Sequence, residues 1–134
     1  MTLRELNEHF DLLEKLDKAE EVMRALRDAS HPQSPNLSGM PHAPGVKDKV
    51  GDLAVELADM DSRIHFLQEE ITRQEPPIEA FISEIEDDQA RIALRLRFLR
   101  GLSWKEVSGV LGRGTSEASV KNACYRIFPG QGDD

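Results

Sequence analysis

The chain has 134 residues, room for about one domain or a small domain with an extended arm. Apolar residues make up 39%, charged residues 31% and aromatics only 5%, which suits a strongly helical protein and excludes a large aromatic core. The single Cys124 excludes an internal disulfide, and no apolar run reaches membrane-spanning length.

Net charge is −8, at first sight a poor match for a nucleic-acid partner. Its distribution reverses that impression. Residues 1–88 hold 9 Lys/Arg against 21 Asp/Glu, whereas residues 89–128 hold 8 against 2, a local net of +6. A basic C-terminal module on an acidic arm is the asymmetry expected when one end touches DNA and the other does not. With no secretory signal pattern, a cytoplasmic protein that does not engage membranes is expected.

Residues 2–29 read as one long helix. Leu3, Leu6, Phe10, Leu13, Leu16, Ala19, Met23 and Leu26 recur every three or four positions. Residues 30–45 hold four prolines and two glycines and cannot be helical as a whole. They form a connector, either ordered or flexible.

Residues 46–75 carry the most regular pattern. Val50, Leu53, Leu57, Met60, Ile64, Leu67 and Ile71 alternate steps of three and four, an a/d seam for packing along a partner helix. Each long segment would span about 42 Å as helix. Their equal lengths favour an antiparallel hairpin, with a parallel coiled coil between two chains as the alternative. Pro76 and Pro77 should break or sharply bend the second helix, because each removes an amide and Glu75 is pushed from the α region.

A new helix should then carry Ile78, Phe81, Ile82 and Ile85 up to Glu86. Asp87 or Asp88 can cap the next, 88–100, with Ile92, Leu96 and Leu99 on its apolar side, Ala93 and Leu94 nearby, and Arg91, Arg95 and Arg97 facing outward. Gly101 sits where a helix stops at positive φ. Ser103 and Glu106 have the spacing of a capping box, and Leu102 and Val107 that of a hydrophobic staple. A short helix runs to Leu111, then a Gly-Arg-Gly turn, a Thr115-Ser116 cap and a last helix to Phe128. Helix, tight turn, helix is the shape of a DNA-reading module.

In that last helix, Val120, Cys124 and Ile127 fall on one face and should be core, with Phe128 closing it. The opposite face presents Ser116, Glu117, Ser119, Lys121, Asn122 and Tyr125, with Arg126 at its edge. Asn pairs with adenine, Ser adapts, and Lys and Arg neutralise phosphate. The expected DNA-binding set is Arg91, Arg95, Lys105, Arg113, Thr115, Ser116, Ser119, Lys121, Asn122, Tyr125 and Arg126. Trp104 is expected to pack across the helix pair rather than stack on a base. His9, His31, His42 and His65 lack ligand spacing, so no metal site is expected. There is no nucleophile–base pair or phosphate-cradling loop, so neither enzyme activity nor a cofactor is expected.

Two segments carry a resemblance. The stretch LRLRFLRGLSWKEVSGVLG (94–112) followed by SVKNACYRI (119–127) resembles region 4 of bacterial sigma factors, the helix-turn-helix that binds the upstream promoter element. LSGMPHAPGVKDKVGDL (37–53) is similar to the same part of small prophage-encoded, sigma-factor-like regulators of Gram-positive bacteria, a likeness that covers nearly the whole chain. It implies sequence-specific binding to double-stranded DNA, control of phage or mobile-element transcription, and a contact to RNA polymerase. By position, Ser119, Lys121, Asn122 and Ala123 match the DNA-facing part of the recognition helix. The turn is longer than in region 4: Leu111 to Val120 is a step of nine. Pro76-Pro77 is a second departure, and nothing here resembles the segment with which a complete sigma factor melts promoters.

The expected protein is therefore all-α: a helical hairpin arm over 1–75 with its Pro-rich loop at 30–45, a sigma-region-4-like helix-turn-helix domain over 76–128, and a disordered acidic tail at 129–134. A transcriptional regulator fits best, with a homodimer through the arm supplying a second half-site. Two competitors remain. One is a small-terminase-like DNA-packaging protein, marked by a ring of eight or more chains. The other is an adaptor that binds RNA polymerase rather than DNA, marked by little salt dependence of DNA binding.

Overall fold

The computed structural model describes residues 1–30, 44–112 and 114–128, with the side chains of 44–52 outside the description. Most of the Pro-rich loop, Arg113 and the acidic tail at 129–134 thus lie outside the described residues. Those described form five helices and no strand: α1 Leu3–Ser30, α2 Pro44–Ser83, α3 Asp88–Phe98, α4 Trp104–Leu111 and α5 Glu117–Tyr125. The protein is all-α in this description.

Helix starts follow the chemistry of their first residues. At α1 the Thr2 amide donates to Glu5 Oε1 (3.0 Å) while the Glu5 amide donates to Thr2 Oγ1 (3.1 Å). This reciprocal pair satisfies two amides that no helical carbonyl can reach, and its signal in the sequence is the T-x-x-E spacing. Asp87 caps α3 by accepting from the Ala90 amide at 2.8 Å.

The double proline is a correction to the expected helix break. α2 runs unbroken from Pro44 to Ser83 with Pro76 and Pro77 inside it, and the expected boundary at 75/76 falls within that helix. The prolines remove the amides that would bond the carbonyls of Thr72 and Arg73. Thr72, Arg73, Pro76 and Pro77 are all exposed, so water can serve the freed carbonyls. On the other side of the same turns Ile71, Ile78 and Ile82 are buried, and their packing holds the helix through the defect.

The chain divides into two compact units. One comprises Met1–Glu14 and Glu69–Asp134, the other Lys15–Gln68. In the first, Leu3, Leu6 and Phe10 of α1 and Ile78 and Ile82 of α2 join Ala93, Leu94 and Phe98 of α3 in one core. Trp104 and Val107 of α4, Val120 and Cys124 of α5, and Phe128 complete it. Rings meet edge to face, Phe98 with Phe10 at 6.4 Å and with Trp104 at 6.2 Å, while Phe81 stacks on Phe128 at 5.5 Å. Trp104 thus packs between helices, as expected. In the second unit Ala19, Met23 and Leu67 are buried.

On the apolar face of α3 the correction is confined to Ile92, since Leu96 and Leu99 pack partly buried against the core. Ala90, Ala93, Leu94 and Phe98 are buried, whereas Ile92 is 42% exposed. Phe98, absent from the expected stripe, is fully buried, and its large ring sets which side turns inward.

Candidate nucleic-acid interface

α3, α4 and α5 pack pairwise on one another, and two glycine-dependent turns set how α4 and α5 follow α3. Gly101, at φ 77°, ends α3 where a side chain would be strained. The Leu102 amide then reaches back to Leu96 O at 3.1 Å. Ser103 opens α4 with the full capping box: its Oγ accepts from the Glu106 amide at 3.1 Å, and Glu106 Oε1 accepts from the Ser103 amide at 2.9 Å. Those Ser103 hydrogen bonds hold the Glu106 carboxyl below its ordinary pKa, the backbone bond contributing most.

α4 ends at Gly112 (φ 92°), and Gly114 (φ 79°) continues the turn. Ser116 then caps α5, accepting from the Ser119 amide at 3.1 Å. α5 is shorter than the expected 116–128 helix. It ends at Tyr125 with Arg126 as its cap, and 126–128 form a turn that buries Phe128.

Val120 and Cys124 of α5 face the core as expected, with Ile127 partly buried beside them. Burial, aided by the charge of Asp87, pushes the Cys124 thiol up to about 12, so it sits protonated as an apolar side chain. On the other side Ser119, Asn122 and Arg126 follow one another at helical spacing, all exposed, with exposed Ala118 and Lys121 alongside. No hydrogen bond holds the Ser119 or Asn122 side chains among the described residues, which leaves their polar groups open to a ligand. Glu117 is exposed in the first turn, and Thr115 is half-buried in the turn before it. Tyr125 is a correction: it is half-buried, with its ring edge on Trp104 at 6.0 Å and Lys121 Nζ 5.6 Å above it. It steadies the face from below.

The basic residues sort into two groups. The three arginines of α3 are engaged within the protein. Arg91 Nη1 donates to Ile85 O at 2.9 Å and its Nη2 pairs with Asp88 at 2.6 Å. Arg95 Nη2 pairs with Glu79 at 2.8 Å and donates to Ser83 Oγ at 3.1 Å. Arg97, expected to face outward, instead lies over the Phe10 ring at 3.6 Å and donates to Leu102 O at 3.2 Å. Burial lowers its pKa, while Tyr125, Glu14 and Asp11 act to raise it. Phe10 is distant in sequence, so no local spacing could reveal this contact.

Arg100, Lys105 and Arg126 form the second group, with Lys121 beside them. All four are exposed, and none is in an ion pair among the described residues. Arg100 was not among the expected DNA contacts, although its place before Gly101, past the apolar face of α3, was a signal. Arg113 lies outside the described residues.

No family model, curated protein or solved structure matches the chain. Among the described residues no cluster of His, Cys, Asp and Glu could hold a metal ion, and no helix is long and apolar enough to cross a membrane.

Proposed function

We propose that this protein is a sequence-specific, double-stranded-DNA-binding transcriptional regulator of phage or mobile-element genes, a sigma-region-4-like helix-turn-helix that reads the major groove through α5. The observation that carries this reading is the exposed Ser119, Lys121, Asn122 and Arg126 face on a capped helix whose opposite side is locked into the core. A rigid helix presenting Asn, Ser and cations is what base-edge readout requires. RNA polymerase is a second partner in this reading, through the same resemblance.

The packing also revises the roles of the cations. Phosphate contacts fall to Lys105, Lys121 and Arg126 rather than Arg91 and Arg95, because a phosphate would have to displace Asp88 or Glu79 from the latter pair. So few contacts per chain make a weak binder, since each neutralised phosphate adds one increment of counterion release.

The test is a mobility-shift titration with the Lys121→Ala/Asn122→Ala double variant. Both side chains are exposed, so the variant should unfold with an unchanged midpoint while selective DNA binding is lost. Unchanged affinity and selectivity would refute the groove assignment.

A further inference from the structure

Arg97 is held in a way that stability alone does not explain. Its guanidinium lies 3.6 Å over the Phe10 ring and 5.0 Å from the centre of the Trp104 ring, and Nη1 donates to Leu102 O at 3.2 Å. Its Nε is buried with no hydrogen-bond partner among the described residues. A half-buried cation with an unpaired N–H loses hydration that these contacts replace only in part. An apolar chain of similar length would cover Phe10 without that loss. What arginine adds is a planar fork that stacks and donates at the same time.

The contacts of that fork converge on the turn between α3 and α4. Leu102 is pinned twice, its carbonyl by Arg97 and its amide by Leu96 O at 3.1 Å. Ser103, the next residue, opens α4. α1 closes the other side of the turn: a Cβ at Gly101 would stand 3.7 Å from the Leu13 side chain, about one turn past Phe10. Asp11 and Glu14, exposed on the same stretch of α1, favour the charged guanidinium. Residues 1–14 share one compact unit with α3, α4 and α5. Since α4 packs in turn on α5, the angle of the turn is passed on to the exposed α5 face.

We propose that Arg97 is a positioning residue, clamping the α3–α4 turn to the start of α1 and so setting the angle at which α5 meets a duplex. The proposal rests on the DNA-binding role of α5 and gives Arg97 no contact with DNA. Two variants of the full chain test it: Arg97→Met removes charge and donors, and Arg97→Lys keeps the charge without the fork. Amide exchange followed by NMR needs no DNA. It should quicken by about tenfold or more over 101–107 in both variants and stay unchanged elsewhere in the unit. Against a duplex that the full chain itself selects from a random-sequence pool, affinity should fall by about tenfold or more. Affinity for an unrelated duplex and the salt slope should stay unchanged, a ratio that a general loss of stability in still-folded protein does not move. Where Arg97→Met loses helicity, Arg97→Lys alone decides. Unchanged exchange over 101–107 overturns the proposal, as does exchange that quickens equally throughout the unit. Quickened local exchange with undiminished selectivity overturns the link to α5. If the full chain selects no duplex, the DNA-binding role fails, and exchange over 101–107 still decides whether Arg97 holds the turn.

Discussion

α3 and α5 are alike in outline and opposite in what they offer. They have 11 and 9 residues, each starts at a side-chain cap, and each packs on α4. α3 carries three arginines, all engaged in ion pairs, carbonyl contacts or an aromatic stack. α5 and its cap carry Lys121 and Arg126, both exposed. The local net of +6 over 89–128 therefore overstates the charge a ligand can meet. The acids paired with the α3 arginines are Glu79 of α2 and Asp88 in the first turn of α3 itself, and most of the chain's acid shares a unit with the basic helices. Residues 1–14 and 69–88 hold 2 Lys/Arg against 12 Asp/Glu, all within that unit. An acidic arm held apart from a basic head does not describe this division.

The contrast can be broken most severely at Phe98. Phe98→Ala empties a fully buried site on the platform that supports α4 and α5, and should cost about 3–5 kcal/mol in a denaturant titration. DNA binding should fall with it, whereas removing exposed α5 side chains should leave stability within about 0.5 kcal/mol. Salt dependence sharpens the contrast. Lys105→Ala and Arg126→Ala should each reduce the slope of log affinity against log salt by about 0.9, and Arg91→Ala and Arg95→Ala should leave it unchanged. Equal slope changes in all four would show that the α3 arginines let go of Asp88 and Glu79 to reach phosphate.

The smallest effect concerns the start of α4. Because the folded state lowers the Glu106 pKa, its contribution is present above the unfolded value, about 4.3 for Glu, and fades as pH falls through the lower folded value. Glu106→Gln should flatten this acid-side component of a stability–pH curve without altering the neutral-to-alkaline limb.

Much of the fold was legible in the sequence because local rules govern it. The Ser103–Glu106 box, the Gly101 stop, the Asp87 and Ser116 caps and the buried side of α5 depend on residues within one turn of each other. The same local rules misjudged Pro76-Pro77. A proline's cost is fixed locally, but whether it breaks a helix depends on which side it faces and what the neighbouring turns bury. Ile71, Ile78 and Ile82 in the core, with the prolines on the wet side, decided it. Of the candidate site, the exposed row on α5 followed from helical periodicity alone. The withdrawal of Arg95 and Arg97 did not, because Glu79, Ser83 and Phe10 reach them only through tertiary packing, whereas Arg91 pairs with Asp88 three residues before it. Sequence by itself determined where helices start and stop and which α5 face is polar, since those follow from hydrogen bonds and spacing along one chain segment. Only the tertiary structure decided that Arg95 and Arg97 are engaged, because their partners are near in space and distant along the chain.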